Sequence, residues 1–340
     1  MKSLNYNDVY LVPSYSELES RSHVDLSVKL FKHPQFHTIQ MPVIAANMKT
    51  VTGPELAIAL HKLGAMGILH RFQKTEESYY DDCKQLFENN CPIDISLGVN
   101  NIDSLAIFEN NKFSSLLRSV TIDIAHGYHI KMKKQIWITF HFCIYWIKSN
   151  GFDNQVDIIA GNVCTREAVE ALSSWGADIV KVGIGPGSAC TTRIMTGYGI
   201  PQFTAVLDCT ERKKELGIKI IADGGITSVG DIAKALAAGA DAIMAGSLFA
   251  GTKESPGPKL RKGNYPNETF YKSYMGSASY ESKLETGNSG KHTEGVSMEI
   301  PYKGAVRYAI KDIHDGLCSA FSYAGASNLK EYHEKVLWME

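Results

Sequence analysis

The sequence predicts a (β/α)8 barrel of the TIM type, an α/β fold, and three observations carry that expectation. Eight short runs rich in Val, Ile and Ala recur at 41–47, 65–70, 93–99, 120–125, 156–162, 178–183, 218–223 and 242–247. Near-continuous apolar runs of this length read as parallel strands covered on both faces, and most are separated by helix-type segments. Eight such units in 340 residues fit a closed barrel better than an open doubly wound sheet. Finally, polar or glycine-rich residues follow the C-terminal ends of the runs: Asn47, His70-Arg71, Asp123, Asn162, Gly183 to Cys190, Asp223-Gly224-Gly225 and Gly246-Ser247. Barrel enzymes place their chemistry at that end.

Composition sets the outer bounds. The chain is 44% hydrophobic and 21% charged, with a formal net charge of −1, which suits a soluble protein with a substantial core. So even a balance exerts no global pull toward nucleic acid or an anionic membrane. The seven cysteines are scattered, odd in number and without metal-type pairs, which points to a reducing compartment and mostly structural thiols. Residues 1–6 hold no apolar core for a signal peptide. The most apolar run, 136–147, is too short to span a bilayer and contains His141. A cytoplasmic setting is expected.

Taken in order, the segment to about His37 reads as an irregular arm or small hairpin ahead of the barrel. Residues 54–63 read as a helix between the first two strands. The stretch 131–150 is at odds with its neighbours, because Ile136-Trp137-Ile138-Thr139-Phe140-His141-Phe142-Cys143-Ile144-Tyr145-Trp146 is aromatic and β-branched and favours a strand on propensity. Residues 254–301 have little apolar periodicity and read as a weakly structured lid after the eighth strand. A final helix over 303–322 should close the barrel.

The chain turns on Lys181-Val182-Gly183-Ile184-Gly185-Pro186-Gly187-Ser188-Ala189-Cys190-Thr191-Thr192-Arg193. Alternating glycines let the backbone approach a ligand closely. A thiol just past such a loop and near the cation of Arg193 reads as a reactive thiolate, since positive charge lowers its pKa. The glycines do not open a helix, so dinucleotide binding of the Rossmann kind is not expected. Asp223 suits a sugar diol as acceptor, while Gly225 and Gly246-Ser247 offer backbone amides to a phosphate at strands seven and eight. His126 and His129 lie three apart, but no third ligand of convincing spacing completes a metal set.

These motifs carry a resemblance. Gly183 to Arg193 is similar to the catalytic loop of the IMP dehydrogenase/GMP reductase family, in which the cysteine attacks C2 of the purine. The likeness continues through Ala222-Asp223-Gly224-Gly225-Ile226 and Met244-Ala245-Gly246-Ser247-Leu248, and reaches from Tyr6-Asn7-Asp8-Val9 to Tyr323-Ala324-Gly325-Ala326-Ser327. It implies one barrel domain over 1–340, with no tandem CBS module near Lys74 and with 254–301 as the active-site flap. The segment 131–150, an ordinary barrel helix in the family, looks longer than relatives have.

By the same resemblance, Cys190 is the nucleophile, and Thr192 with Glu294 handles protons. Ser188, Asp223, Gly224, Gly225, Gly246 and Ser247 hold the nucleotide's sugar and phosphate. Tyr274, Met275 and Gly276, with Lys291 and Gly295, form the base- and phosphate-contacting turn and the flap return. Arg71, Asp123, Ile124, Ala125, Ile184 and Gly185 line the cofactor side. Ser20-Arg21 and Ser319 to Ser322 reach the cofactor of a neighbouring subunit in a homotetramer. Carbonyls of Gly185, Gly187 and Cys190, at the loop that ends in Arg193, bind a monovalent cation such as potassium. Many reductases have arginine where Lys291 stands, and a lysine offers no planar fork.

Both branches of the family begin with the cysteine adduct. The dehydrogenases oxidise IMP with NAD and then activate water with a flap arginine–tyrosine pair. The reductases expel ammonia from GMP and take a hydride from NADPH, giving IMP. From Lys262 to Val306 there is no arginine, so Tyr280 and Tyr302 lack that partner and the reductase branch is favoured. The rivals are a dehydrogenase without the CBS module, and a purine-nucleotide-binding barrel that has lost catalysis.

Overall fold

A computed structural model describes residues 3–73, 75–99, 103–108, 112–149, 155–277, 279 and 293–340. An N-terminal arm carries β1 (Tyr10–Val12), β2 (Val28–Lys29) and β3 (Thr38–Ile39), of which β2 and β3 form a small antiparallel hairpin. Then come the barrel strands: β4 (Val43–Ala45), β5 (Met66–Gly67), β6 (Ile93–Leu97), β7 (Leu117–Asp123), β8 (Asp157–Val163), β9 (Ile179–Val182), β10 (Lys219–Asp223) and β11 (Ala242–Ala245). They pair in parallel in the order β5-β4-β11-β10-β9-β8-β7-β6. The remaining seam is drawn together by Leu69 N donating to Asp94 O at 2.9 Å and Ser96 Oγ donating to Leu69 O at 2.6 Å. All eight expected runs therefore fold as the barrel. Strands β4 and β11 are buried along their whole length, which is why they read as unbroken apolar runs rather than alternating ones; β6 and β9 are equally buried but carry Asp94, Ser96 and Lys181 within them.

Helices cover the sheet. Pro54–Lys62 and Val306–Tyr323 lie close to the expected helices. The strand propensity of 131–150 is overruled: this stretch is one helix, Ile130–Ser149. Met132, Gln135, Ile136, Thr139 and Cys143 are all buried, and their spacing of three and four places one face on the barrel. Trp137, Phe140, Ile144 and Tyr145 are exposed on the rest of its surface. Burial of a periodic face outweighs the few tenths of a kcal/mol per residue that aromatic and β-branched side chains cost in a helix. Among the described residues no helix is long and apolar enough to cross a membrane.

The described part of the flap is more ordered than its composition suggests. Strands β12 (Leu260–Lys262), β13 (Thr269–Met275) and β14 (Ser297–Pro301) form an antiparallel sheet, in register from Tyr271↔Pro301 to Met275↔Ser297. Its buried positions on β13 include Lys272 and Tyr274. Lys272 donates its ammonium hydrogens to the carbonyls of Lys253, at 3.1 Å, and Ser255, at 2.5 Å. A buried cation in the alternating position hides the strand from a hydropathy reading. At the far end of the chain β15 (Leu337–Met339) pairs antiparallel with β1.

Two buried imidazoles give the fold a measurable pH response. Burial, reinforced by Lys49, pushes His70 down to about 4 from 6.5, and burial likewise pushes His333, whose Nε2 meets Ala240 O at 3.0 Å, down to about 4. Both are therefore held neutral in the fold. Their contribution is complete above pH 6.5 and is lost as pH falls toward 4, roughly 3 kcal/mol per imidazole. Asp157, pushed up to about 7 by burial, acts in the opposite sense, so a comparison of variants isolates the effect. The unfolding free energy of wild type minus that of His333→Gln is expected to shrink steadily between pH 6.5 and 4 in denaturant titrations. A difference independent of pH would refute the buried neutral imidazole.

Candidate active site

The loop after β9 owes its path to glycine. Gly183 has φ of +150° and lies so close to the end of β10 that a Cβ there would sit 2.0 Å from Asp223 O. The two strand ends consequently share one cavity at the C-terminal mouth of the barrel, of about 230 Å³, and Cys190 lines it. Cys190 N donates to Gly187 O at 3.0 Å and fixes the turn that presents the sulfur. The buried thiols are a contrasting group: burial pushes Cys91 and Cys143 up to about 12.

A chain of hydrogen bonds leads away from the sulfur. Cys190 Sγ donates to Thr192 Oγ1 at 3.1 Å, and Thr192 Oγ1 donates to Glu294 Oε2 at 2.9 Å. The two ends lie 104 residues apart in sequence, and backbone bonds bring them together. Thr191 N donates to Glu294 O at 3.1 Å, Val296 N to Ala189 O at 3.0 Å and Gly276 N to Val296 O at 3.0 Å. The flap return is thus stitched between the cysteine loop and the end of β13. Arg193 braces the same loop: its guanidinium donates to the carbonyls of Ile184 at 3.2 Å and Ile200 at 2.5 Å.

The cavity floor holds a buried cation. Lys181 points inward from β9, and its Nζ donates to Asp123 Oδ1 at 2.8 Å, Asp223 Oδ2 at 3.3 Å and Asn47 Oδ1 at 3.5 Å. Burial alone would lower the ammonium pKa, but the two carboxylates overcome it and raise it. In return, and against its own burial, Asp123 is held below the usual carboxylate range by Lys181 and by Arg71, whose Nε lies 3.8 Å away. Asn162 Nδ2 donates both to Asp223 Oδ2 at 2.9 Å and to Gly183 O at 2.8 Å. Asn47 and Asn162 stand at strand ends that the sequence marked as polar. Lys181 was visible only as a lone cation inside an apolar run, and no role followed from that.

Most of the expected residues converge. Arg71, Asp123, Ile124, Ala125, Ile184 and Gly185 line the cavity on one side. Thr192, Asp223, Gly224, Tyr274, Gly276 and Glu294 line it with Cys190 and Gly187. Others buttress this shell. Ser188 hydrogen-bonds to the Tyr274 hydroxyl, and Gly295 bridges to Cys190. Met275 N donates to Thr50 Oγ1 at 3.0 Å and Ser247 Oγ to Ile226 O at 3.3 Å. Gly246 allows a close approach, since a Cβ there would meet Tyr274 Oη at 2.6 Å, and Gly225 packs on Pro186. Lys291 lies outside the described residues.

Ser20, Arg21, Ser319 and Ser322 do not line this cavity. Arg21 and Ser319 do meet each other: Arg21 Nη1 donates to Ser319 Oγ at 2.8 Å, and the guanidinium lies over the Tyr323 ring at 5.5 Å. Of the carbonyls expected around a monovalent cation, Gly187 O accepts from Cys190 N at 3.0 Å, and at the end of that loop Arg193 O accepts from Gly197 N at 3.0 Å. No hydrogen bond among the described residues reaches the carbonyls of Gly185 or Cys190. That oxygen donor set fits a hard monovalent ion.

Fold and site together define a parallel (β/α)8 barrel with a thiol, a hydroxyl–carboxylate relay and a buried lysine–dicarboxylate cluster at its C-terminal mouth. The sequence model of the IMP dehydrogenase / GMP reductase domain matches residues 3–91 and 95–340, and the chain belongs to that family. It is 37% identical over 338 residues to a GMP reductase of Buchnera aphidicola subsp. Acyrthosiphon pisum (strain Tuc7), covering 99% of this chain and 93% of that one. The GMP reductase of Escherichia coli O81 (strain ED1a) is 38% identical over 345 residues, covering 99% and 94% respectively. A crystal structure of GMP reductase from Trypanosoma brucei in complex with guanosine 5'-monophosphate has the same fold, with a TM-score of 0.86 at 23% identity, over 100% of this chain and 95% of that one.

Proposed function

We propose that the protein is an NADPH-dependent GMP reductase: GMP, NADPH and two protons give IMP, NADP and ammonium. The observation that carries this reading is the Cys190–Thr192–Glu294 chain. The Cys190 thiolate adds to C2 of the purine, forming the C–S bond. As the C2–N bond breaks, Glu294 delivers a proton through the Thr192 hydroxyl, so that the amine leaves as ammonia and takes up a further proton in solution. NADPH, when bound, supplies the hydride that C2 receives. The C–S bond then breaks, freeing IMP and the thiolate. Asp223 takes the ribose diol; Ser188, Gly225, Gly246 and Ser247 take the phosphate. Asp123, Ile124 and Ala125, which line the same cavity as Cys190, would hold the nicotinamide.

The dehydrogenase alternative needs a flap guanidinium to activate water, and the sequence has no arginine from Lys262 to Val306. The remainder of the reading follows the family: a monovalent cation on the open carbonyls of Gly185 and Cys190, and a cytoplasmic homotetramer in which Ser20, Arg21, Ser319 and Ser322 meet a neighbour's cofactor. The test is absorbance in the nicotinamide band. Loss of NADPH absorbance that depends on GMP and yields one ammonium per IMP is expected. Brisk formation of xanthosine monophosphate from IMP and NAD, with GMP untouched, would overturn the proposal. GMP binding without NADPH oxidation would identify a barrel that has lost catalysis.

A further inference from the structure

Lys181 has no part in the steps above, yet it is the most buried cation of the cavity, only 1% exposed. Its place is built into the sheet. Lys181 stands opposite Gly161 on β8 and Ile221 on β10, and a Cβ on Gly161 would lie 2.7 Å from that of Lys181. Position 161 therefore has to be a glycine for β8 and β9 to lie this close at Lys181. All three ammonium hydrogens are matched by the three acceptors Asp123, Asp223 and Asn47. A buried cation is tolerated only where it is fully paired, and here the pairing carboxylates come from the ends of two different strands, β7 and β10.

On the reductase reading those carboxylates serve different ligands, Asp223 the ribose of the purine nucleotide and Asp123 the nicotinamide. We propose that Lys181 is a positioning residue that couples the two halves of the cavity, so that each nucleotide raises the affinity for the other. The argument is electrostatic. A ribose diol donating to Asp223 neutralises part of that carboxylate's charge and weakens its pull on the shared ammonium. The ammonium then draws toward Asp123, at 2.8 Å already its nearer partner, and fixes that carboxylate for the incoming nicotinamide. Coupling of this kind is reciprocal, and in binding sites it typically amounts to about 5- to 150-fold.

The experiment is calorimetric titration of GMP into the protein with and without saturating NADP, the oxidised cofactor, which has no hydride to give. Wild type is expected to bind GMP about tenfold more tightly with NADP present. Lys181→Met should bind each ligand alone with a GMP affinity that no longer responds to NADP, and Lys181→Arg, which keeps the cation, should restore the response. Should Lys181→Met fail to fold, Lys181→Gln carries the test. That variant keeps a polar group between Asp123 and Asp223 but no charge, and should bind each ligand alone but lose the response. A purely structural lysine would weaken both ligands and leave their ratio unchanged. A wild type that binds both nucleotides independently, or retention of the response in Lys181→Met or Lys181→Gln, overturns the coupling alone. A wild type that binds neither nucleotide overturns the reductase reading and the coupling with it.

Discussion

Cys190→Ala is expected to abolish turnover while leaving the nucleotide bound. The rate should fall by about 10⁴-fold or more, the scale seen when a covalent nucleophile is removed. Among the described residues no other cysteine lines the cavity. Among the other cysteines, burial pushes Cys91 and Cys143 up to about 12, and Cys83 and Cys209 are buried as well. Thr192, the next hydroxyl along, is oriented by Glu294, and its oxygen is the acceptor for the sulfur rather than a free nucleophile. Binding survives because the ribose and phosphate contacts proposed for Asp223, Gly246 and Ser247 involve no sulfur, so the Kd for GMP should change only a few-fold. Calorimetry for binding and single-turnover absorbance for chemistry separate the two effects. Substantial residual turnover would remove the covalent mechanism.

The second large effect belongs to Glu294→Gln. The amide can still accept the Thr192 hydroxyl, now at 2.9 Å, so the loop and flap should keep their geometry. What it cannot do is carry a proton. Removal of a general acid typically costs 10²- to 10⁴-fold, and ammonia release is expected to slow by about 10³-fold with little change in GMP affinity. If the acid acts at the departure of the amine, the variant should accumulate the cysteine–purine adduct, detectable by mass spectrometry of the quenched protein. Unchanged ammonia release would strip Glu294 of its role. Thr192→Val breaks the same chain in the middle and should resemble Glu294→Gln rather than Cys190→Ala.

Much of the barrel was legible because its strands are buried on both faces. Runs such as Ile179-Val180 and Ala242-Ile243-Met244-Ala245 have little polar content to confuse the pattern, and the glycines at the mouth mark where each one ends. Two segments resisted for opposite reasons. In Ile130–Ser149 the residue types argued for a strand, while the spacing of Met132, Ile136 and Cys143 decided for a helix. In the flap, β13 buries a lysine where an apolar residue would have announced a strand. The site divided in a similar way. Cys190, Thr192 and Glu294 follow from a recognisable loop and flap return, and all three meet as expected. Lys181 did not follow, since a charge inside an apolar strand acquires meaning only once Asp123 and Asp223 are seen to converge on it. The guanidinium of Arg193 meets the carbonyls of Ile184 and Ile200, contacts that its place three residues after Cys190 does not reveal.

Glu294 reaches Thr192 from a chain segment bonded directly to the cysteine loop. Along extended backbone, side chains alternate between faces, so sliding that segment by a single residue would exchange the carboxylate for Thr293 or Gly295 and aim it elsewhere. The acid and the sulfur thus obey a parity rule. A slip of one position would silence proton delivery while every atom of the nucleophile stayed where it was, and only a shift by two could restore the orientation.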